Sequence, residues 1–380
     1  MNITFAPPYI TENEINAARD VLNSGWLSTG DRTSEFENKF SEYAGSKHAV
    51  ATNSCTAALF LCLKVLGIKE GDEVITTPFT FVATANVIVH CGAKPVFVDI
   101  DEKTYNIDPD KIAEKITDKT KAIIVVHYGG QPADMEKIMK IAKKYDLKVI
   151  EDAAHGAGSE YEKGKKVGSL GNLTCFSFYA TKPITTGEGG MITLNDAELS
   201  EKLRMLRLHG MSRDAWKRYL QKDSWYYEVT EAGYKCNPSD IASAIGIEQL
   251  KKLDWMNERR HAVAEYYNAK LQDLDIVLPY VNPNVKSSYH LYPIRLISYD
   301  RGNFIKKMGE RGIGTSVHFI PLHLMPFYHR EYGYKGGDFP VAEKVFENIV
   351  SLPIYPQLTE KQLEYIVKNM KESLADSYVK

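Results

Sequence analysis

The segment SFYATKPITTGEGGMI, residues 177–192, places one lysine between an aromatic run and a turn that contains three glycines. The residues around its start, LTCFSFY (173–179), alternate in the way that is typical of a strand. The glycines permit backbone conformations or close approaches that a Cβ would forbid. Lys182 is therefore a candidate functional residue, although most lysines in loops are simply solvated.

Short apolar runs alternate with helical patterns across the first two-thirds of the chain. The runs are DEVITT (72–77), KPVFVDI (94–100), KAIIVVHY (121–128), LKVIEDA (147–153), LTCFSFY (173–179) and GGMITL (189–194). Between most of them lie amphipathic segments such as DMEKIMKIAKKY (134–145), with apolar residues on one face and lysines on the other. Strands that alternate with helices predict an α/β fold whose mainly parallel sheet is covered on both faces.

The pattern changes in the last third of the chain. A helical region near SDIASAIGIEQLKKL (239–253) is followed by a long helix that we predict to begin near Asp254. Short apolar segments and a final helix from about Thr359 complete the sequence. Because a single core stops growing at roughly 250–300 residues, we predict a large domain over 1–254 and a smaller C-terminal α+β domain over 255–380.

Composition argues against several other classes of protein. The 380 residues carry 47 basic and 49 acidic side chains, so the net charge of −2 provides no overall basic field for nucleic acid or an anionic membrane. The N-terminus lacks a signal pattern, and no stretch approaches the roughly 18 apolar residues of a membrane span. Five cysteines without a CxxC pair suggest neither a disulfide framework nor a zinc site. We predict a soluble, cytoplasmic protein without bound metal.

Two more segments contain candidate functional residues. In ATNSCTAALFLCLKVLG (51–67) a polar turn leads into an apolar helix, whose first N–H groups can bind an anion. An ordinary capped helix is the simpler explanation of this segment alone. In VIEDAAHGAG (149–158) an apolar strand ends in Asp152, and His155 follows three residues later. Asp152 is either a turn former or functional, and its position at a strand end favours function.

An anion-binding helix start, a strand-end aspartate, and a serine and lysine before a glycine-rich turn follow one another in this order. The layout resembles fold-type I pyridoxal phosphate enzymes and, more narrowly, the DegT/DnrJ/EryC1/StrS family of nucleotide-sugar aminotransferases. The matching stretches are NSGWLSTG, EFENKF, TNSCTAAL, TPFTFVATAN, EDAAH, FSFYATKPITTGEGG, LRLHGM, GYKCNPSDIASAIGIEQL, VHFIPLH and SLPIYP. TKPITTGEGG together with VHFIPLH resembles the branch that aminates C4 of UDP-linked 4-keto sugars.

This resemblance implies a site for pyridoxal 5′-phosphate (PLP). Lys182 would bond the cofactor and then move a proton between the donor Cα and the cofactor C4′. Asp152 would keep the pyridine nitrogen protonated, Phe81 would stack on the ring, and His155 would lie beside it. The further cofactor-binding residues that the resemblance implies are Cys55, Thr56, Ser177, Lys235 and Asn237. The implied substrate-binding residues are Trp26, Ser28, Thr29, His318 and His323.

The resemblance also implies a homodimer with shared active sites. The cofactor phosphate would lie on the N–H groups of Cys55 and Thr56 and on the hydroxyl of Ser177. GYKCN (233–237) matches a loop that reaches into the partner's site. Within this loop the family often has asparagine where Lys235 stands, and the lysine would supply charge instead.

The predicted function is transfer of an amino group from L-glutamate to a nucleotide-linked 4-keto sugar, in amino-sugar or surface polysaccharide biosynthesis. Amination at C3 is an alternative. A lyase or dehydratase is a further one that Lys182 disfavours, because the family's dehydratases carry histidine at that place. From another class, the chain could be a catalytically silent regulatory protein that keeps the PLP fold, which the intact Asp152 and Lys182 disfavour.

Overall fold

The centre of the protein is a sheet in the N-terminal two-thirds of the chain. The structure is a computed structural model that describes residues 1–211 and 227–379. The strands are β1 (His48–Thr52), β2 (Glu73–Thr76), β3 (Lys94–Phe97), β4 (Thr120–Val126), β5 (Lys148–Asp152), β6 (Leu173–Ser177), β7 (Gly190–Leu194), β8 (Tyr292–Arg295) and β9 (Ile349–Leu352). The first seven form one sheet in the order β1-β7-β6-β5-β4-β2-β3.

The larger sheet is mainly parallel, as predicted. Strands β3, β2, β4, β5 and β6 pair in parallel, whereas β7 runs antiparallel to both of its neighbours, β6 and β1. Each of the six predicted apolar runs matches one of the strands β2 to β7, although β4 begins one residue before its run, at Thr120. Strand β1 was not predicted. Its centre is Ala49, Val50 and Ala51, and alanine is depleted in strands, so the local pattern is weak.

Helices cover the sheet and extend beyond it. They are α1 (Glu12–Ser24), α2 (Asp31–Ala44), α3 (Cys55–Val65), α4 (Ala83–His90), α5 (Met135–Lys144), α6 (Ala197–Leu206), α7 (Asp240–Leu271), α8 (Arg301–Glu310), α9 (Pro326–Tyr332), α10 (Pro340–Asn348) and α11 (Glu360–Ala375). Strand β4 shows that both faces of the sheet are covered. Ile123 and Val125 belong to one apolar cluster, and Ala122 and Ile124 belong to another. Since successive strand residues point to opposite faces, the two clusters lie on opposite sides of the sheet.

The prediction that a separate long helix begins near Asp254 is wrong. One continuous helix, α7, runs from Asp240 to Leu271. No proline interrupts it, and the Asp254 carboxylate accepts a hydrogen bond from the Tyr43 hydroxyl (2.5 Å) rather than capping a helix start. The early part of α7 packs in the cluster of the large sheet and its later part packs against β8 and β9. The predicted domain boundary between residues 254 and 255 falls inside α7, and the division into two domains stays a prediction.

The C-terminal region has its own small sheet and core. Strands β8 and β9 pair antiparallel, and the final helix α11 begins after Thr359, as predicted. Thr359 and Gln362 form a capping box, in which each side chain pairs with the backbone N–H of the other residue. Within residues 1–211 and 227–379, no helix combines the length and the apolar run that crossing a bilayer requires.

Candidate active site

Three strand ends at one edge of the large sheet bring the predicted catalytic residues together. Asp152 is the last residue of β5 and Ser177 is the last residue of the parallel neighbour β6. Gly190 begins β7 and pairs with both Ser177 and Thr52. The chain between Ser177 and Gly190 therefore leaves and re-enters the sheet at this edge, and Lys182 lies in it.

Backbone hydrogen bonds close the turn that carries Lys182. The Phe178 N–H donates to the Gly189 carbonyl, and the Thr186 N–H donates to the Phe178 carbonyl, both at 2.9 Å. The Lys182 N–H donates to the Tyr179 carbonyl at 3.0 Å. These bonds make the segment a defined turn at the sheet edge rather than a solvated loop.

The Lys182 amine has an environment that favours its neutral form. Burial lowers the pKa of Lys182 from 10.5 to about 8, while the nearby Asp152 carboxylate opposes the shift. An amine with this pKa can accept and release a proton near neutral pH, which an ordinary lysine does poorly. The surroundings of Lys182 therefore differ from those of a surface lysine.

The Asp152 carboxylate is buried and only partly satisfied by hydrogen bonds. Thr84 Oγ1 donates to Oδ2 at 2.7 Å, and the Ala154 N–H donates to Oδ1 at 3.1 Å. Burial raises the pKa of Asp152, whereas these two hydrogen bonds and the charge of Lys182 lower it. A carboxylate oxygen can accept more than one hydrogen bond, so Asp152 retains the capacity to bind a cationic N–H group.

The His155 ring is held in one tautomer. The Gly129 N–H donates to His155 Nδ1 at 3.2 Å, so that Nδ1 is unprotonated. Burial, followed by the charge of Lys182, lowers the pKa of His155 well below its usual value. The neutral ring therefore carries its proton on Nε2, which makes Nε2 a hydrogen-bond donor.

The start of α3 lies directly against β7. The Ser54 side chain caps the helix by accepting from the Ala57 N–H at 3.1 Å. The N–H groups of Cys55 and Thr56 have no partner inside the helix because of their position in its first turn. A Cβ on Gly190 would lie 2.6 Å from the Ser54 carbonyl and 2.7 Å from the Cys55 nitrogen. Only glycine therefore lets β7 and Ser177 come this close to the helix start.

Two segments with predicted ligand contacts lie together. Asn237 Nδ2 donates to Thr29 Oγ1 at 2.6 Å, and Thr29 Oγ1 donates in turn to the Pro238 carbonyl. The Asn53 N–H donates to the Cys236 carbonyl at 2.8 Å. The 233–238 segment thus connects the start of α3 with the loop before α2. Its predicted reach into a partner's site stays a prediction.

Five predicted residues are exposed, and Thr56 at the start of α3 is one of them. Phe81 is 59% exposed, in contrast to the nearby Phe79, which is fully buried. Trp26 is 37% exposed, and Ser28 and Lys235 are also exposed. An exposed aromatic side chain such as Phe81 has a ring face free for stacking on a planar ligand.

The two predicted substrate histidines have different surroundings. Burial, followed by the charge of Lys182, lowers the pKa of His318 to about 4, and its Nδ1 lies 3.0 Å from Ser351 Oγ. His323 is fully buried, and its contacts are with Glu343 (2.8 Å) and the Phe339 ring rather than with the residues around Lys182. The substrate role of each histidine stays a prediction.

Sequence reasoning missed two residues beside the site. Thr84 contacts Asp152, and its only signal is that it lies in the TPFTFVATAN stretch. His290 stacks near His155, with ring centroids 4.3 Å apart. No local pattern marks His290, because packing of the C-terminal region against the large sheet brings it there.

The arrangement fits PLP. The buried Asp152 carboxylate suits the ring nitrogen, the low-pKa amine of Lys182 suits the aldehyde, and the start of α3 with Ser177 suits the phosphate. The missing Cβ of Gly190 keeps the phosphate-binding elements together. Among the described residues, no three His, Cys, Asp or Glu side chains are grouped as metal ligands.

Comparisons with known proteins place the chain in one family. Residues 8–371 match the DegT/DnrJ/EryC1/StrS aminotransferase family. The spore coat polysaccharide biosynthesis protein SpsC of Bacillus subtilis is 46% identical over 97% of this chain and 96% of its own. Among solved structures, the sugar aminotransferase Spr1654 of Streptococcus pneumoniae in its PLP form has a TM-score of 0.93 and 34% identity over 99% of both chains. Helicobacter pylori PseC, an aminotransferase involved in pseudoaminic acid biosynthesis, has a TM-score of 0.89 and 33% identity over 99% of this chain and 100% of its own.

The fold is that of the PLP-dependent sugar aminotransferases, which confirms the predicted fold-type I class. The chain belongs to the DegT/DnrJ/EryC1/StrS aminotransferase family. Its cofactor is PLP, and its reaction uses an amino donor and a sugar substrate.

Proposed function

We propose that this enzyme transfers the amino group of L-glutamate to C4 of a UDP-linked 4-keto sugar, as a cytoplasmic homodimer that makes amino sugars for surface polysaccharides. SpsC is named for spore coat polysaccharide biosynthesis, and PseC is an aminotransferase involved in pseudoaminic acid biosynthesis. Both names support an amino-sugar product. The matches in TKPITTGEGG and VHFIPLH support amination at C4.

One observation carries the catalytic part of the proposal. A buried amine with a pKa of about 8 lies in the turn between β6 and β7, within the electrostatic reach of the buried Asp152 carboxylate. Burying a cation or an anion is costly unless it is paired and hydrogen-bonded. Side chains with shifted pKa values at the carboxyl edge of an α/β sheet are candidates for acid–base catalysis.

Lys182 is assigned the proton transfer. Bound PLP supplies an electron sink for the bond that breaks at the donor Cα. In its neutral form the Lys182 amine removes the proton from that carbon, and in its protonated form it returns a proton at the cofactor C4′. A pKa of about 8 lets both forms exist near neutral pH.

The other residues bind and orient. Asp152 holds a proton on the ring nitrogen. Burial raises the pKa of Asp152, but the protonated ring nitrogen is a cation beside the carboxylate and would favour the ionised form of Asp152. His155 would donate from Nε2 to the phenolic oxygen of the bound cofactor, because its Nδ1 already accepts from the Gly129 N–H. The N–H groups of Cys55 and Thr56, with the Ser177 hydroxyl, hold the phosphate.

Purified protein incubated with L-glutamate and a UDP-4-keto sugar tests the proposal, with product detection by mass spectrometry. We expect a UDP-4-amino sugar with the wild type and none with Lys182→Ala. Product from a 3-keto sugar alone would favour C3 amination. PLP binding without transfer to any sugar nucleotide would favour the regulatory alternative.

A further inference from the structure

A buried carboxylate at the start of α7 holds the loop that precedes α2. Asp240 is only 3% exposed. Its Oδ1 accepts from the Gly30 N–H (2.8 Å), the Thr33 N–H (2.9 Å) and Thr33 Oγ1 (2.7 Å). Its Oδ2 accepts from the Arg32 N–H at 3.2 Å. One side chain therefore satisfies three backbone N–H groups of another helix start.

These bonds supply a cap that α2 lacks. The N-cap residue of α2 is Gly30, which has no side chain to accept from the first turn. Asp240, which is distant in sequence, accepts from these first-turn N–H groups in place of an N-cap side chain. Its negative charge also interacts favourably with the N-terminal ends of both α2 and α7. A Cβ on Gly30 would lie 2.9 Å from Asp240 Oδ2, so glycine is also what admits the carboxylate.

The same contacts fix residues 26–30, which we call the acceptor loop. The Asp240 N–H donates to the Leu27 carbonyl at 3.1 Å, and Thr29 is bonded to Asn237 and Pro238 just before α7. Trp26 and Leu27 are 37% and 45% exposed, and Trp26 Nε1 donates to the Thr29 carbonyl within the loop at 3.4 Å. Polar bonds to residues 237–240 tie the acceptor loop to the start of α7.

We propose that Asp240 is a positioning residue for the sugar-nucleotide acceptor. The inference rests on the proposed function, because Trp26, Ser28 and Thr29 of the acceptor loop are the predicted substrate contacts. The hydrogen bonds of Asp240 go to the acceptor loop and the first turn of α2, whereas the donor half-reaction uses Lys182. Asp240 therefore sets the affinity for the acceptor sugar and leaves the reaction with the amino donor unchanged.

Asp240→Asn tests this with the holoenzyme and separate half-reactions. The variant keeps one acceptor oxygen but loses the charge and places an NH₂ group against backbone donors. We expect the KM for the UDP-4-keto sugar to rise at least about tenfold, since a hydrogen bond to a charged group is worth that factor. The rate of the glutamate half-reaction, followed by absorbance, stays within about twofold of the wild type.

Two further variants separate positioning from folding. Thr33→Val removes only one bond to Asp240, so we expect a smaller rise in the same KM; this variant carries the test if Asp240→Asn does not fold. Asp134→Asn is the matched control, because Asp134 is an exposed cap of α5 that accepts from the Lys137 N–H at 3.0 Å. We expect both half-reactions of the control to match those of the wild type.

The outcomes separate this inference from the proposed function. An unchanged acceptor KM, or an equal loss in both half-reactions, overturns the positioning role of Asp240. If the wild type aminates no 4-keto sugar nucleotide, the proposed function is contradicted instead. Calorimetric binding of UDP-N-acetylglucosamine then tests Asp240 alone: weaker binding by the variant supports the inference, and equal or absent binding overturns it.

Discussion

A Gly190→Ala substitution should damage the cofactor site through the backbone. The added Cβ would lie 2.6 Å from the Ser54 carbonyl, about 0.8 Å closer than the 3.4 Å at which ordinary contact begins. Overpacking typically costs about 1–3 kcal/mol of folding free energy, and we expect the upper end because backbone atoms are the neighbours. Moving the start of α3 would also weaken the proposed phosphate contact at the Cys55 N–H. The loss of one charge-assisted hydrogen bond raises the Kd for PLP about 10- to 100-fold.

The assay is a PLP titration of the apoenzyme together with thermal unfolding. Gly309→Ala is the matched control, because Gly309 lies in α8 and a Cβ there meets nothing within 4 Å. In a helix, alanine stabilises relative to glycine by about 0.5–1 kcal/mol. The control should therefore shift the Tm slightly upward and leave the Kd for PLP unchanged.

The opposite result would be a Gly190→Ala variant that binds PLP as tightly as the wild type and unfolds at the same temperature. That result would mean that β7 does not press against the start of α3. A lower Tm with unchanged PLP affinity would support the close packing of β7 against α3 but contradict the proposed phosphate contact at this helix start.

Three further predictions concern side chains of the site. Asp152→Ala should bind PLP yet transfer amino groups at least about 100-fold more slowly, since the electron sink is lost; stopped-flow absorbance with glutamate measures this. The rate at which the apoenzyme captures PLP should rise with pH and level off above about 8, because the neutral fraction of Lys182 saturates there; an unperturbed lysine would give a rise that continues toward 10.5. Lys235→Ala should raise the Kd for PLP in a cofactor titration, and unchanged affinity would exclude its phosphate contact.

The sequence predicts most of the large sheet because its strands are short, largely apolar runs. Strands β2, β3, β5, β6 and β7 fall inside predicted segments and β4 begins one residue before its segment, whereas β1 was missed because its alanines carry no strand signal. The continuity of α7 was also missed. The helix start predicted near Asp254 lies inside α7, where the Asp254 carboxylate accepts from Tyr43 and Lys166 instead of capping a helix.

The sequence predicts those site residues that lie at the ends of strands. Asp152 and Ser177 are the last residues of β5 and β6, so the parallel sheet alone brings them to one edge. His290 reaches His155 only through packing of the C-terminal region, and no short pattern predicts such a contact. Asp240 was overlooked for a similar reason, because its four hydrogen bonds go to residues that are distant in sequence.

The most direct test of the account is the visible absorption spectrum of the protein with PLP, before and after L-glutamate, for the wild type and Lys182→Ala. The account predicts a visible band in the wild type that requires Lys182 and that glutamate converts to the pyridoxamine form. A wild type without this band, or the same band and conversion in Lys182→Ala, would contradict the assignment of Lys182 as the catalytic amine.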